Sequence, residues 1–225
     1  MSRKSRSIIV SGIMLASFGI GTQLEVSRAL GSYSYCTQDR CSVDRVPYLY
    51  QYDNPDGEGG AYGGNTCQVT SLSMLLNYFY ERDGYNKRVK PEDFYSDREL
   101  AKSPEGAAQL IKESLDNAIW SRTGTRDEIK GLIRSGRPVI VNTYLTKGGH
   151  VILITGFTTS GWIVNDPAGL WSGDNTNAYP NSEGSGFMSV YSYGSMDDEI
   201  LGADGDIWYA SGDTKAINTG YGSVL

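Results

Sequence analysis

With three cysteines and one histidine in 225 residues, any chemistry needing a soft nucleophile and a neutral-pH base must be assembled from very few side chains. Cys36 and Cys41 stand close together in the polar stretch 36–41, near enough to close a small disulfide loop in an oxidising compartment. Their pairing leaves Cys67 as the free thiol. Cys67 opens an apolar-periodic segment, and a thiol in the first turn of a helix faces unpaired backbone N–H groups and the positive end of the helix dipole. Both favour the thiolate. His150 is the one imidazole able to depress that thiol further and to carry a proton to a leaving amine. It follows Gly148-Gly149 and opens the run Val151-Ile152-Leu153-Ile154, at a strand edge beside residues too small to block a substrate.

A carboxylate or amide is needed to fix the imidazole tautomer and stabilise its cation. Asp166, in Asn165-Asp166-Pro167, ends the apolar run 162–164 and meets His150 if the two strands pair. The oxyanion of a tetrahedral intermediate needs donors as well. The backbone N–H of Cys67 is one by position, and Gln51, Asn54, Asn65 and Gln68 are all near enough in sequence to supply the other. Each residue also has a plainer reading: Cys67 as a small buried apolar residue, His150 as a hydrogen-bonded structural histidine, Asn-Asp-Pro as turn chemistry. Taken jointly they predict amide hydrolysis through a thioester, with no metal and no organic cofactor.

Positioning these groups falls to helices followed by a sheet. Val69, Leu72, Leu75, Leu76 and Phe79 recur at helical steps and predict an amphipathic helix from Cys67 to about Tyr80, capped by Asn65 or Thr66 and stopped at Gly84. Ser103-Pro104-Glu105 starts a second helix, with Leu110, Ile111, Leu115, Ala118 and Ile119 facing inward. Thr125-Arg126-Asp127-Glu128 is a capping box for a third, ending at Gly136. Beyond Pro138 the pattern changes to strands over 139–141, 151–157, 162–164, 186–193 and 206–210, with hairpin turns at 147–149 and 158–161. Residues 45–52 read as extended and 53–64 as a solvated loop whose acids lack EF-hand spacing. This order predicts one α+β domain, its N-terminal helices packed on a C-terminal antiparallel sheet.

Four segments, Val46 to Asn54, Thr66 to Tyr78, Gly148-Gly149-His150-Val151 and Asn165-Asp166-Pro167, together resemble the C39-like peptidase family, from about Val46 to Ala210. The resemblance implies a papain-like cysteine peptidase fold, with Cys67 as nucleophile, His150 as base and Asp166 as the carboxylate that orients it. It also implies Gln51, in its Pro-Tyr-x-x-Gln surroundings, as the oxyanion-hole amide. Gln68-Val69 stands where that family most often has Gly-Pro after the cysteine, which alters the wall beside the nucleophile and the substrate preference to be expected.

Residues 1–29 have the layout of a secretory signal peptide: Arg3, Lys4 and Arg6, an apolar run from Ile8 to Ile20 too short for a comfortable bilayer span, then Ser27-Arg28-Ala29. Residues 30–45 make an N-terminal segment holding the expected Cys36–Cys41 disulfide, and 46–225 the C39-like peptidase domain. A secreted or extracytoplasmic protein is expected, with no stable membrane anchor after cleavage. Removing residues 1–29, with four basic residues and one acid, takes the formal charge from −6 to −9, which argues against a nucleic-acid partner. The expected partner is a peptide or protein substrate. A cell-wall amidase or a protein-glutamine deamidase would use the same triad. The 16 tyrosines in a glycine-rich chain keep open an inactive C39-like binding domain.

Overall fold

Two short strands that the sequence pattern did not reveal, β1 (Ser34–Cys36) and β2 (Arg40–Val43), form a hairpin closed by a disulfide between Cys36 and Cys41. The structure is a computed structural model and describes residues 34–55, 65–173, 179, 184–200 and 206–212. The expected signal segment 1–29 and most of the expected loop 53–64 lie outside the described residues. The extended stretch after β2 ends in a 3-10 turn at Gln51–Asp53.

Helix α1 (Cys67–Arg82) starts where its apolar periodicity starts and stops before Gly84, which takes φ +75°. It is more deeply enclosed than an amphipathic pattern implies, being buried without a break from Gln68 to Tyr80. Its small polar residues make that tolerable. Thr70 Oγ1 and Ser71 Oγ bond to backbone carbonyls, and Asn77 accepts from and donates to the Val89 backbone.

Helix α2 (Pro104–Leu115) is capped by Ser103, whose side chain accepts from the Gly106 N–H. It ends earlier than expected. Asp116 takes a left-handed conformation and closes the helix, and Ala118 and Ile119 begin strand β3 (Ala118–Gly124), paired with a strand near the end of the chain. The helical spacing of those two residues is overridden by this long-range pairing, which suits the β-branched Ile119 and the aromatic Trp120. Helix α3 (Arg126–Arg134) has the capping box in place, with the Glu128 N–H donating to Thr125 Oγ1 and the Thr125 N–H to Glu128 Oε2.

Strands β4 (Val139–Thr143), β5 (His150–Thr158) and β6 (Gly161–Asn165) follow as successive antiparallel neighbours. The expected strand 186–193 is shorter than its pattern. Residues 184–188 turn, with Gly184 at φ +79° and Met188 at φ 48°, and only β7 (Ser189–Ser192) pairs with β6. Tyr193 then starts helix α4 (Tyr193–Ile200), and β8 (Ile207–Gly212) returns between β4 and β3. In the eight-stranded antiparallel sheet β5 is the spine: residues 150–154 pair with β4, 156–158 with β2, and 153–157 with β6. Helix α1 packs on β5, α2 on β3 and β8, and α3 on β2 and β5. Among the described residues no helix is long and apolar enough to cross a membrane.

Candidate active site

The N-terminus of α1 is pinned at two levels, to the segment after β2 and to β5. Asn54 Nδ2 donates to Thr66 Oγ1 (3.0 Å) and Thr70 Oγ1 (2.8 Å), fixing the turn that leads into Cys67. One helical turn beyond Cys67, on the same face, Ser71 Oγ donates to the Val151 carbonyl at 3.1 Å. Cys67 is thereby held against the strand residue that follows His150. His150 itself sits opposite Thr143 in the β4–β5 register, and Thr143 Oγ1 donates to its carbonyl at 2.9 Å. The turn before it is closed by the Gly149 N–H donating to the Thr146 carbonyl, with Gly149 at φ +81°. The β5–β6 hairpin brings Asn165 opposite Leu153, and the next residue, Asp166, reaches His150: Nε2 lies 2.8 Å from Oδ1.

With Nε2 donating to Asp166, Nδ1 is the ring nitrogen left for Cys67, and the two groups are near enough for each to shift the pKa of the other. Burial alone would push the Cys67 thiol up. The His150 charge, its hydrogen bond and the Val151 amide more than reverse this and hold the thiol below its ordinary value of 9.0. For His150, burial would lower the pKa, but Asp166 first and Cys67 second raise it from 6.5 to about 10. The arrangement favours a thiolate beside an imidazolium. Cys67 remains partly open to solvent, as a nucleophile must.

Asp166 is fully buried, and its surroundings were not foreseen from sequence. Oδ1 accepts from the Ala168 N–H (2.9 Å) as well as from His150, while Oδ2 accepts from the hydroxyls of Tyr191 (2.8 Å) and Tyr179 (3.0 Å). Tyr48 donates to the Asp166 carbonyl at 3.0 Å, and the Asp166 N–H donates to the Gly186 carbonyl at 3.0 Å. Burial and the Asp166 charge push Tyr179 and Tyr191 far above the usual phenol range, so both stay protonated and able to donate. With 16 tyrosines scattered along the sequence, nothing signalled which would arrive here.

Gly186 is what lets this shell close. A Cβ there would collide with the Asp166 carbonyl and stand 2.9 Å from both Gly169 O and Tyr48 Oη. Gly186→Ala should therefore lower stability by about 1–3 kcal/mol and slow turnover by shifting Asp166. Gly194→Ala, where a Cβ meets nothing within 4 Å, is the control expected to leave turnover unchanged and stability undiminished. Denaturant unfolding of the two variants checks this.

A cleft of about 560 Å³ opens on the thiol, with walls that include Gln68, Asn65, Asn142, Tyr144 and Trp208. Of the amides considered for the oxyanion, Asn54 is committed to Thr66 and Thr70. Gln68 Oε1 lies 3.3 Å from Cys67 Sγ, within reach of the S–H whenever the thiol is protonated, and Gln68 Nε2 is committed to the Asn65 and Arg98 carbonyls. Gln51 is buried and its N–H donates to the Pro167 carbonyl at 2.8 Å, beside Asp166. Among the described residues its Oε1 has no hydrogen-bond partner, and it is not among those that line the cleft. Among the described residues no group of three or more His, Cys, Asp or Glu could hold a metal ion.

The family model described as Peptidase_C39 like family matches residues 43–197, and the chain belongs to this family. A crystal structure of a candidate C39-like peptidase from Bacillus anthracis is similar to it, with 14% sequence identity and a TM-score of 0.47 over 79% of this chain and 98% of that one. No curated protein matches the sequence.

Proposed function

We propose that the protein is a secreted cysteine peptidase of papain-like fold that hydrolyses peptide bonds through Cys67, His150 and Asp166. The observation that carries the reading is the one imidazole of the chain, bonded at Nε2 to a fully buried carboxylate 2.8 Å away and lining the same cleft as the free thiol at the start of α1. The Cys67 thiolate attacks the scissile carbonyl, and His150 passes its proton to the leaving amine. Water, deprotonated by His150, then hydrolyses the thioester. The backbone N–H of Cys67 and the Nε2 amide of Gln51, the latter from its Pro-Tyr-x-x-Gln surroundings, are the proposed oxyanion donors. Export is supported by the disulfide, which persists in oxidising compartments, and by the layout of residues 1–29; residues 46–225 are read as the peptidase domain.

The reading is tested by digesting a peptide library and sequencing the products by mass spectrometry, before and after iodoacetamide. New peptide termini that disappear on alkylation are expected; side-chain deamidation without chain cleavage would redirect the assignment to a deamidase. At pH 7 Cys67 should alkylate about tenfold faster than a free thiol, most of which is protonated there. The sign of the pH dependence follows from the two groups. As pH falls through the depressed Cys67 value, below 9.0, the thiolate is protonated, and as pH rises through about 10, His150 loses its proton. Hydrolysis should follow a bell between these limits, and alkylation no faster than that of a free thiol would count against the ion pair.

A further inference from the structure

The Asp166 carboxylate has more donors than orienting an imidazole requires. Its oxygens offer about four lone-pair sites, and four donors fill them: His150 Nε2 and the Ala168 N–H on Oδ1, Tyr191 and Tyr179 on Oδ2. Each tyrosine is aimed by a second contact. The Tyr191 hydroxyl accepts from the Trp171 N–H at 2.8 Å, which directs its own proton away, and Asp166 Oδ2 at 2.8 Å is a closer acceptor than Gly169 O at 3.3 Å. The Tyr179 ring lies against the His150 ring, centroids 5.3 Å apart at 56°, so its phenol covers the imidazole while its hydroxyl reaches the carboxylate.

Building on the reading of Cys67, His150 and Asp166 as a triad, we propose that Tyr179 and Tyr191 are positioning residues that set the basicity of His150 through Asp166. Hydrogen bonds to a carboxylate stabilise its charged form and draw charge away from its other partners. The two phenols keep Oδ1 directed at His150 and weaken the hold of Asp166 on the imidazolium proton. His150 is raised enough to charge the thiol yet still gives its proton to a leaving amine. A tyrosine that merely fills space would do none of this, since phenylalanine fills the same space.

The chain has one histidine, so an untagged protein labelled at the imidazole ring gives one ring signal. Its titration is followed by NMR in Cys67→Ala protein, where the coupled thiolate is absent, with and without Tyr191→Phe or Tyr179→Phe. Removal of either hydroxyl should move the His150 titration upward by about one pH unit, a tenfold change in proton affinity. In the protein with Cys67 restored, each variant should lower kcat with KM unchanged. A titration that stays in place or moves down overturns the proposal. If Tyr191→Phe does not fold, Tyr179→Phe decides, because its ring is less enclosed than that of Tyr191. The titration needs no substrate, so failure of the proposal is separable from failure of the peptidase reading, which would appear as an absence of cleavage with the NMR shift intact.

Discussion

Cys67→Ala is expected to abolish hydrolysis, with kcat falling about a million-fold, while leaving the fold in place. The side chain removed is a single thiol, half-buried at the first position of α1. The core below it is built by Val69, Leu72, Leu75, Leu76 and Phe79, all fully buried, and Cys67 packs only against its edge. The helix start keeps its anchors, since the Asn54 bonds to Thr66 and Thr70 and the Ser71 bond to Val151 involve no atom of Cys67. What disappears is the nucleophile and one of the two charges that raise His150, so the His150 titration should fall as activity does. Cys67→Ser should be nearly as inactive, because a hydroxyl is far too weak an acid to be ionised by the same imidazole. Retention of peptide cleavage by Cys67→Ala in protein free of contaminating peptidase would falsify the proposed chemistry, and a collapse of the unfolding midpoint would show Cys67 to be structural.

How far this site could be read from the residues depends on how local each contact is. Asp166 and His150 were legible as partners because β5 and β6 are joined by the short turn 158–161, and a tight antiparallel hairpin leaves little freedom in where its open ends meet. Cys67 was legible because a free thiol, a helix start and a disulfide elsewhere are all local patterns. The α2–β3 boundary was not, since Ala118 and Ile119 continue the helical period and their competitor, β8, lies far along the chain. The β1–β2 hairpin was missed for the same reason: its strands are short and polar, and β5 gives β2 its second neighbour. The unbroken burial of α1 from Gln68 to Tyr80 was hidden by Thr70, Ser71 and Ser73, which read as an outer face until packing encloses them. Tyr179 and Tyr191 reach Asp166 from beyond β6, along a path that no periodicity specifies.

His150→Gln is expected to produce a folded and inert protein, with kcat reduced about as far as by loss of the nucleophile. The reason it should fold lies in the charge of the cluster. In the proposed resting state a carboxylate, an imidazolium and a thiolate sum to one negative charge. Without His150, the thiol is expected to take up a proton, because burial is the largest influence on it and that influence raises its pKa. One negative charge again remains, on Asp166, and the Ala168 N–H with the Tyr179 and Tyr191 hydroxyls still solvates it. A glutamine amide can add a donor toward Oδ1. The cost is therefore far below that of leaving a buried charge unpaired. Reactivity should change in the opposite sense to that of an ordinary surface thiol: Cys67 in this variant should alkylate at pH 7 more slowly than a free thiol, where the native protein is faster. An alkylation rate unchanged by His150→Gln would mean that the helix start and the Val151 amide alone hold the thiolate, and the histidine would then be left with proton transfer as its one role.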